Sequence, residues 1–112
     1  MAKNKFFAAL PYPVELQLKT LGANLRTART RRNITIQELA NKIGTGTRAI
    51  ADAEKGKATT GIAIYLGIMW ALDLLNHMDK VVSPITDEEG LRLAMSKEKG
   101  KAYKTTEIDN DF

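Results

Sequence analysis

Apolar residues along this chain recur at spacings of three and four rather than two, so the elements they predict are helices. Pro11 to Pro13 read as a helix start, because proline fits the first helical turn and disrupts anything deeper. From Val14 the stripe Leu18, Leu21, Leu25 and Ala28 faces a core and sends Lys19, Arg26 and Thr30 to solvent, until Asn33 ends the helix. Thr35 then precedes Glu38 at the capping-box spacing, ahead of Leu39, Ala40 and Ile43, with Gly44 as the C-terminal glycine. After Thr45-Gly46, a third short helix from Thr47 to about Lys55 turns Ile50 and Ala53 inward and is closed by Gly56. Thr59 or Thr60 is expected to cap a fourth, in which Ile62, Tyr65, Leu66, Met69, Ala71 and Leu72 leave little polar surface. A fifth, Asp73 to Val82, carries Leu74, Leu75, Met78 and Val81 and stops at Ser83-Pro84. Beyond Asp87 the pattern weakens, and Lys97 to Phe112, rich in Lys, Thr, Glu, Asp and Asn, is expected to lack order. No strand pattern and no internal repeat competes.

The reading is therefore all-α: an N-terminal arm over 1–13, a compact five-helix domain over 14–82 and a C-terminal extension over 83–112. A chain of 112 residues has room for one core, and 44% apolar with 27% charged residues is a globular balance. No apolar run approaches the ~20 residues that span a bilayer, and Pro11-Tyr12 cuts the apolar stretch after Lys3 and Lys5 short of a secretory signal. A soluble, cytoplasmic protein with no membrane partner is expected. Without cysteine there is no disulfide, thiolate metal site or cysteine nucleophile, and His77, read as a surface residue, cannot build a metal cage alone. No Gly-rich phosphate loop or tuned carboxylate pair stands out either, so the expectation is no enzyme, no cofactor and no metal.

A net charge of +4 favours a polyanionic partner, and its distribution sharpens the point. Arg26, Arg29, Arg31 and Arg32 crowd one segment, Lys55 and Lys57 another, while Asp109 and Asp111 fall in the tail. Thr35 to Gly56 reads as two short helices sharing one tight turn. In a helix-turn-helix the first helix crosses the DNA backbone while the second lies in the major groove and reads base edges. That geometry needs a small residue where the helices cross (Ala40), a permissive turn (Gly44) and an apolar anchor under the reading helix (Ile50).

Over about Leu21 to Leu72 the sequence resembles the Xre and phage-repressor family, with its Thr-Gln-x-x-Leu-Ala pattern followed by Ile and Glu-Arg-Gly. The resemblance implies a lambda-repressor-like fold and matches Thr35, Leu39, Ala40, Gly44, Ile50, Glu54 and Gly56 to family positions. It sets Arg29 on the first-helix arginine that pairs with the glutamate at Glu54, so a structural ion pair between Arg29 and Glu54 is expected. Ile36 departs from the usual phosphate-holding glutamine, for which Gln37 stands as the substitute, and Gly46 departs from the usual serine cap. Base readout by this resemblance falls on Thr47, Arg48 and Asp52. Arg48 is suited to guanine O6 and N7 or to phosphate, and Asp52 to cytosine N4 or an intrahelical contact. Gln37, Thr45, Lys55 and Lys57 are the phosphate candidates, with a solvated surface as the other reading of the two lysines. Arg31 and Arg32 stay open between phosphate, a partner and water. Tyr65 and Trp70 are read as core or dimer contacts.

A narrower resemblance rests on Ala28-Arg29-Thr30-Arg31-Arg32, Met69-Trp70-Ala71-Leu72-Asp73-Leu74-Leu75 and Asp87-Glu88-Glu89-Gly90-Leu91. These segments resemble the HipB-like antitoxins encoded beside HipA-type kinases, although Asp73 stands where glycine is usual. That resemblance implies a homodimer that represses its own operon at a palindromic operator on double-stranded DNA. It also implies binding to a HipA-type serine/threonine kinase toxin, directly or through an additional small antitoxin subunit. The alternatives are a stand-alone Xre-type or prophage repressor, and an interaction adaptor that binds no DNA.

Overall fold

The computed structural model describes residues 5–108 and divides after Leu75 into two compact units, earlier than the expected boundary at 82. Among the described residues every regular element is helical: α1 (Lys5–Ala8), α2 (Tyr12–Arg31), α3 (Ile36–Ile43), α4 (Thr47–Glu54), α5 (Ile62–Ala71), a 3-10 helix (Leu75–Lys80) and α6 (Glu88–Ile108). The expectation of an N-terminal arm falls partly on residues 1–4, which lie outside the described residues, as do 109–112.

In the first unit α2 packs on α4, α3 on α4 and α5, and α4 on α5. α2 begins at Tyr12, two residues ahead of the expected Val14, because Pro11 supplies the N-cap and Pro13 fits the first turn. Val14 and Glu15 donate their N–H groups to the Pro11 carbonyl at 3.0 and 3.1 Å. α2 buries Gly22, Leu25 and Arg29 along one face and ends where Asn33 takes a left-handed conformation (φ 55). The core closes over Leu25, Leu39, Ala40, Ile50, Ala53, Tyr65, Ile68, Met69, Ala71 and Leu72. Its largest fully buried side chains are Leu39, Ile50, Ile68 and Leu72, each stabilising the fold by about 1.5 to 3 kcal/mol on burial. Gly22 marks the closest approach: a Cβ there would stand 2.5 Å from the Ala53 carbonyl oxygen, so only glycine lets α2 lie against the end of α4.

Four details differ from expectation. Gly61, not Thr59 or Thr60, is the N-cap of α5, because Thr60 N–H closes a turn onto the Lys57 carbonyl at 3.1 Å. α5 stops at Ala71, where Asp73 adopts φ 63, and the expected fifth α-helix is replaced by the six-residue 3-10 helix. The aspartate thus holds a left-handed conformation that a glycine would take freely. Trp70 is not core: it stays 56% exposed while Tyr65 and Met69 beside it are buried. Lys97 to Ile108 continue α6, where composition pointed to a lack of order.

The second unit is built around the start of α6. Val82 takes φ 55, and Asp87 N–H donates to the Ser83 carbonyl at 3.1 Å. Asp87 Oδ1 then accepts from Gly90 N–H at 3.0 Å, an aspartate cap with Glu88 and Glu89 in the first turn where acids suit the helix dipole. A Cβ on Gly90 would meet the Asp87 carboxylate, which links the two ends of the Asp87-Glu88-Glu89-Gly90 segment physically. Among the described residues no helix is long and apolar enough to cross a membrane.

Candidate nucleic-acid interface

The local sequence builds a two-helix unit from α3 to α4. Thr35, in extended conformation, accepts the Glu38 N–H on its hydroxyl at 3.0 Å, and Glu38 Oε1 accepts the Thr35 N–H at 2.9 Å. This reciprocal box fixes where α3 starts. The Thr35 backbone N–H, followed by its hydroxyl, holds the Glu38 carboxyl below the ordinary glutamate range. At the other end Gly44 takes φ 88 and its N–H donates to the Ala40 carbonyl at 2.8 Å; Thr45 N–H follows to the same oxygen at 3.0 Å. The chain turns within Gly44-Thr45-Gly46 and enters α4. Ala40 is wholly buried, as are Ile50 and Ala53 on α4, so the relative placement of the two helices is set by packing.

A buried ion pair holds the far end of this unit. Arg29 Nε and Nη2 donate to Glu54 Oε2 and Oε1 at 2.6 and 2.9 Å, and Nη1 donates to the Ile34 carbonyl at 2.9 Å. The hydrogen bond to Glu54 outweighs burial and raises the Arg29 pKa, so the guanidinium stays charged. One side chain thereby ties α2 to the last residue of α4 and to the link between α2 and α3. Lys42, which the sequence reading did not single out, adds a second tie: its Nζ donates to the Ala71 carbonyl at 3.2 Å, at the C-terminal end of α5. No local pattern could have shown it, since the partners stand 29 residues apart.

Thr47 and Arg48 stand exposed on the first turn of α4, opposite the buried face. Gly46 gives this helix no side-chain cap, so the N–H groups of its first turn remain open to an outside acceptor. Asp52 lies one turn further on, half-buried, with Arg48 Nε 3.8 Å and Lys57 Nζ 3.3 Å from its carboxylate oxygens. Lys55 is exposed at the C-cap of α4. Gln37 is exposed on α3 with its amide donating to Asn41 Oδ1 at 2.9 Å, and Thr45 is half-buried in the turn. Of the other arginines, Arg31 and Arg32 are exposed at the end of α2, and Arg32 Nη1 donates to the Ala28 carbonyl.

No curated protein matches the chain at a significant level. A family model described as Helix-turn-helix does match, over residues 25–66, a span running from the middle of α2 into α5. Residues 25–66 are therefore similar to a helix-turn-helix domain, the kind of domain that DNA-binding transcription regulators carry.

Proposed function

We propose that this chain is a dimeric transcriptional repressor that lays α4 in the major groove of a palindromic operator and acts as the DNA-binding antitoxin of a HipA-type kinase, repressing the operon that encodes both. The observation that carries the DNA-binding part is the two-sidedness of α4. Ile50 and Ala53 lock one face into the core while Thr47 and Arg48 project from the start of the other, the end of a reading helix that enters the groove. Thr47 and Arg48 are assigned to base edges, and Thr45, Gln37 and Lys55 to backbone phosphates, Gln37 exchanging its bond to Asn41 for one to DNA, while Lys57, the other phosphate candidate, is already paired with Asp52. The open first turn of α4 supports the assignment, because unsatisfied helix N–H groups suit phosphate oxygens.

The antitoxin part is supported by the HipB-like segments, two of which have definite structural work here. Asp73, within the Met69 to Leu75 segment, ends α5, and Asp87 with Gly90 starts α6. The test is affinity purification of the tagged chain from its native locus after nuclease treatment, with partners identified by mass spectrometry. A stoichiometric kinase, direct or through a third small component, supports the antitoxin reading. Recovery of the chain with itself alone removes that reading and leaves a stand-alone or prophage repressor. A partner without any salt-sensitive affinity for the upstream promoter duplex marks an adaptor instead.

A further inference from the structure

Asp52 is the first acid along α4, and two cations share its carboxylate. Arg48, one turn back, approaches Oδ2 through Nε at 3.8 Å, and Lys57 in the following loop approaches Oδ1 through Nζ at 3.3 Å. Lys57 is tied to the same residue a second time, its backbone N–H donating to the Asp52 carbonyl at 3.1 Å. We infer that Asp52 is a positioning residue for sequence specificity: it steers the Arg48 guanidinium toward base edges and offsets the charge of Arg48 and Lys57 that any phosphate would otherwise attract.

This inference rests on the proposed DNA binding and deepens it. Binding to arbitrary DNA is driven by cations meeting phosphates and releasing counterions. A carboxylate within 4 Å of two such cations competes with phosphate for both and repels it directly, so contact with random sequence weakens. At the operator the balance differs. The pairing with Asp52 runs through Nε, the inner nitrogen of Arg48, and a two-pronged contact to guanine O6 and N7 can use the outer two. The side chain of Arg48 is 85% exposed against 24% for Asp52, so the arginine can reach out while the acid stays back. Asp52 is also a full turn further from the end of α4 that enters the groove, and each of its oxygens already faces a cation. Those observations favour positioning over direct readout of cytosine.

The experiment starts by selecting binding sites from a random duplex pool with the full-length wild-type chain. Affinities for the selected duplex and for an unselected random duplex of equal length are then measured across salt concentrations. Wild type, Asp52→Asn, Asp52→Glu, Arg48→Ala and the Arg48→Ala/Asp52→Asn double variant are compared, with thermal melts to check folding. Asp52→Asn is expected to bind the random duplex more tightly and to steepen its salt slope by about 0.9 per phosphate newly contacted. It should lose base preference at the same position that Arg48→Ala loses, with no further loss in the double variant. Asp52→Glu, which keeps the charge, should recover much of the wild-type ratio. The inference is overturned by an unchanged random-duplex affinity and slope in Asp52→Asn. It is equally overturned by loss of preference at a base position that Arg48→Ala leaves intact, the signature of direct readout. A wild-type chain that binds no duplex at all sinks the DNA-binding reading itself, and this inference with it.

Discussion

Arg29 is where a single side chain does most to hold the reading unit together. Its guanidinium makes three hydrogen bonds at 2.6 to 2.9 Å, and the side chains of Arg29 and Glu54 are only 11% and 6% exposed. Removing one member of such a pair strands the other charge out of water, a loss of about 3 to 5 kcal/mol, whereas an exposed pair is worth about 0 to 1. Arg29→Ala is therefore expected to lower unfolding free energy by an amount in the larger range, read from the urea midpoint at unchanged slope. Arg29→Lys should recover little, since one ammonium cannot span both Glu54 oxygens and the Ile34 carbonyl. A loss under about 1 kcal/mol in the alanine variant would show that solvent screens the pair after all.

At the scale of elements, the two helices of the unit are started by different means, and each start makes a prediction. α3 depends on the Thr35 and Glu38 box, and the lowered Glu38 pKa fixes the sign of its pH dependence. A depressed folded pKa means that stability is present above the ordinary glutamate range and lost as pH falls through the folded value. Amide protection factors at Thr35 and Glu38, taken after correction for the intrinsic slowing of exchange in acid, should fall on acidification through that window, and Glu38→Gln should flatten the response. α4 starts from Gly46, where a Cβ would meet nothing within 4 Å, so Gly46→Ser should add the missing cap and raise stability by a few tenths of a kcal/mol, visible as a higher melting temperature. The same contrast explains how much of the fold was legible in the sequence. Thr35, Glu38 and Gly44 announce α3 because caps act over three or four residues, and the α2 stripe is legible because helical spacing is local. The placing of Arg29 on Glu54 came from family resemblance, since 25 residues separate them. Thr59 and Thr60 misled because a turn had already claimed them, and Asp73 because a non-glycine residue at positive φ carries no signal in the apolar pattern. The tie from Lys42 to Ala71 and the sharing of Asp52 by Lys57 exist only once the helices are assembled. The far end of α6 was missed because Lys, Glu and Ala are good helix formers as well as common in disordered tails.

Under the proposed function, the eight-residue α4 would cover about half of a site, so a palindrome would call for two copies related by a two-fold axis. Within the first unit, α5 leaves Ile62 63% and Trp70 56% exposed at positions eight apart, with Leu66 half-buried midway between them. Residues at i, i+4 and i+8 share a helix face, and three apolar side chains in that row are costly to leave in water. This face is expected to be the two-fold contact. Trp70 is the chain's single tryptophan, so its emission reports on that face alone. Its fluorescence should shift to the blue as concentration rises through the dimerisation range, and sedimentation should show twice the mass of the 12.4 kDa chain over the same interval. Trp70→Glu should leave the monomer folded, because the side chain takes no part in the core, yet hold it monomeric and weaken binding to a two-half-site duplex far more than to a single half-site. Concentration-independent emission from a chain that sediments as a dimer would instead move the contact away from α5.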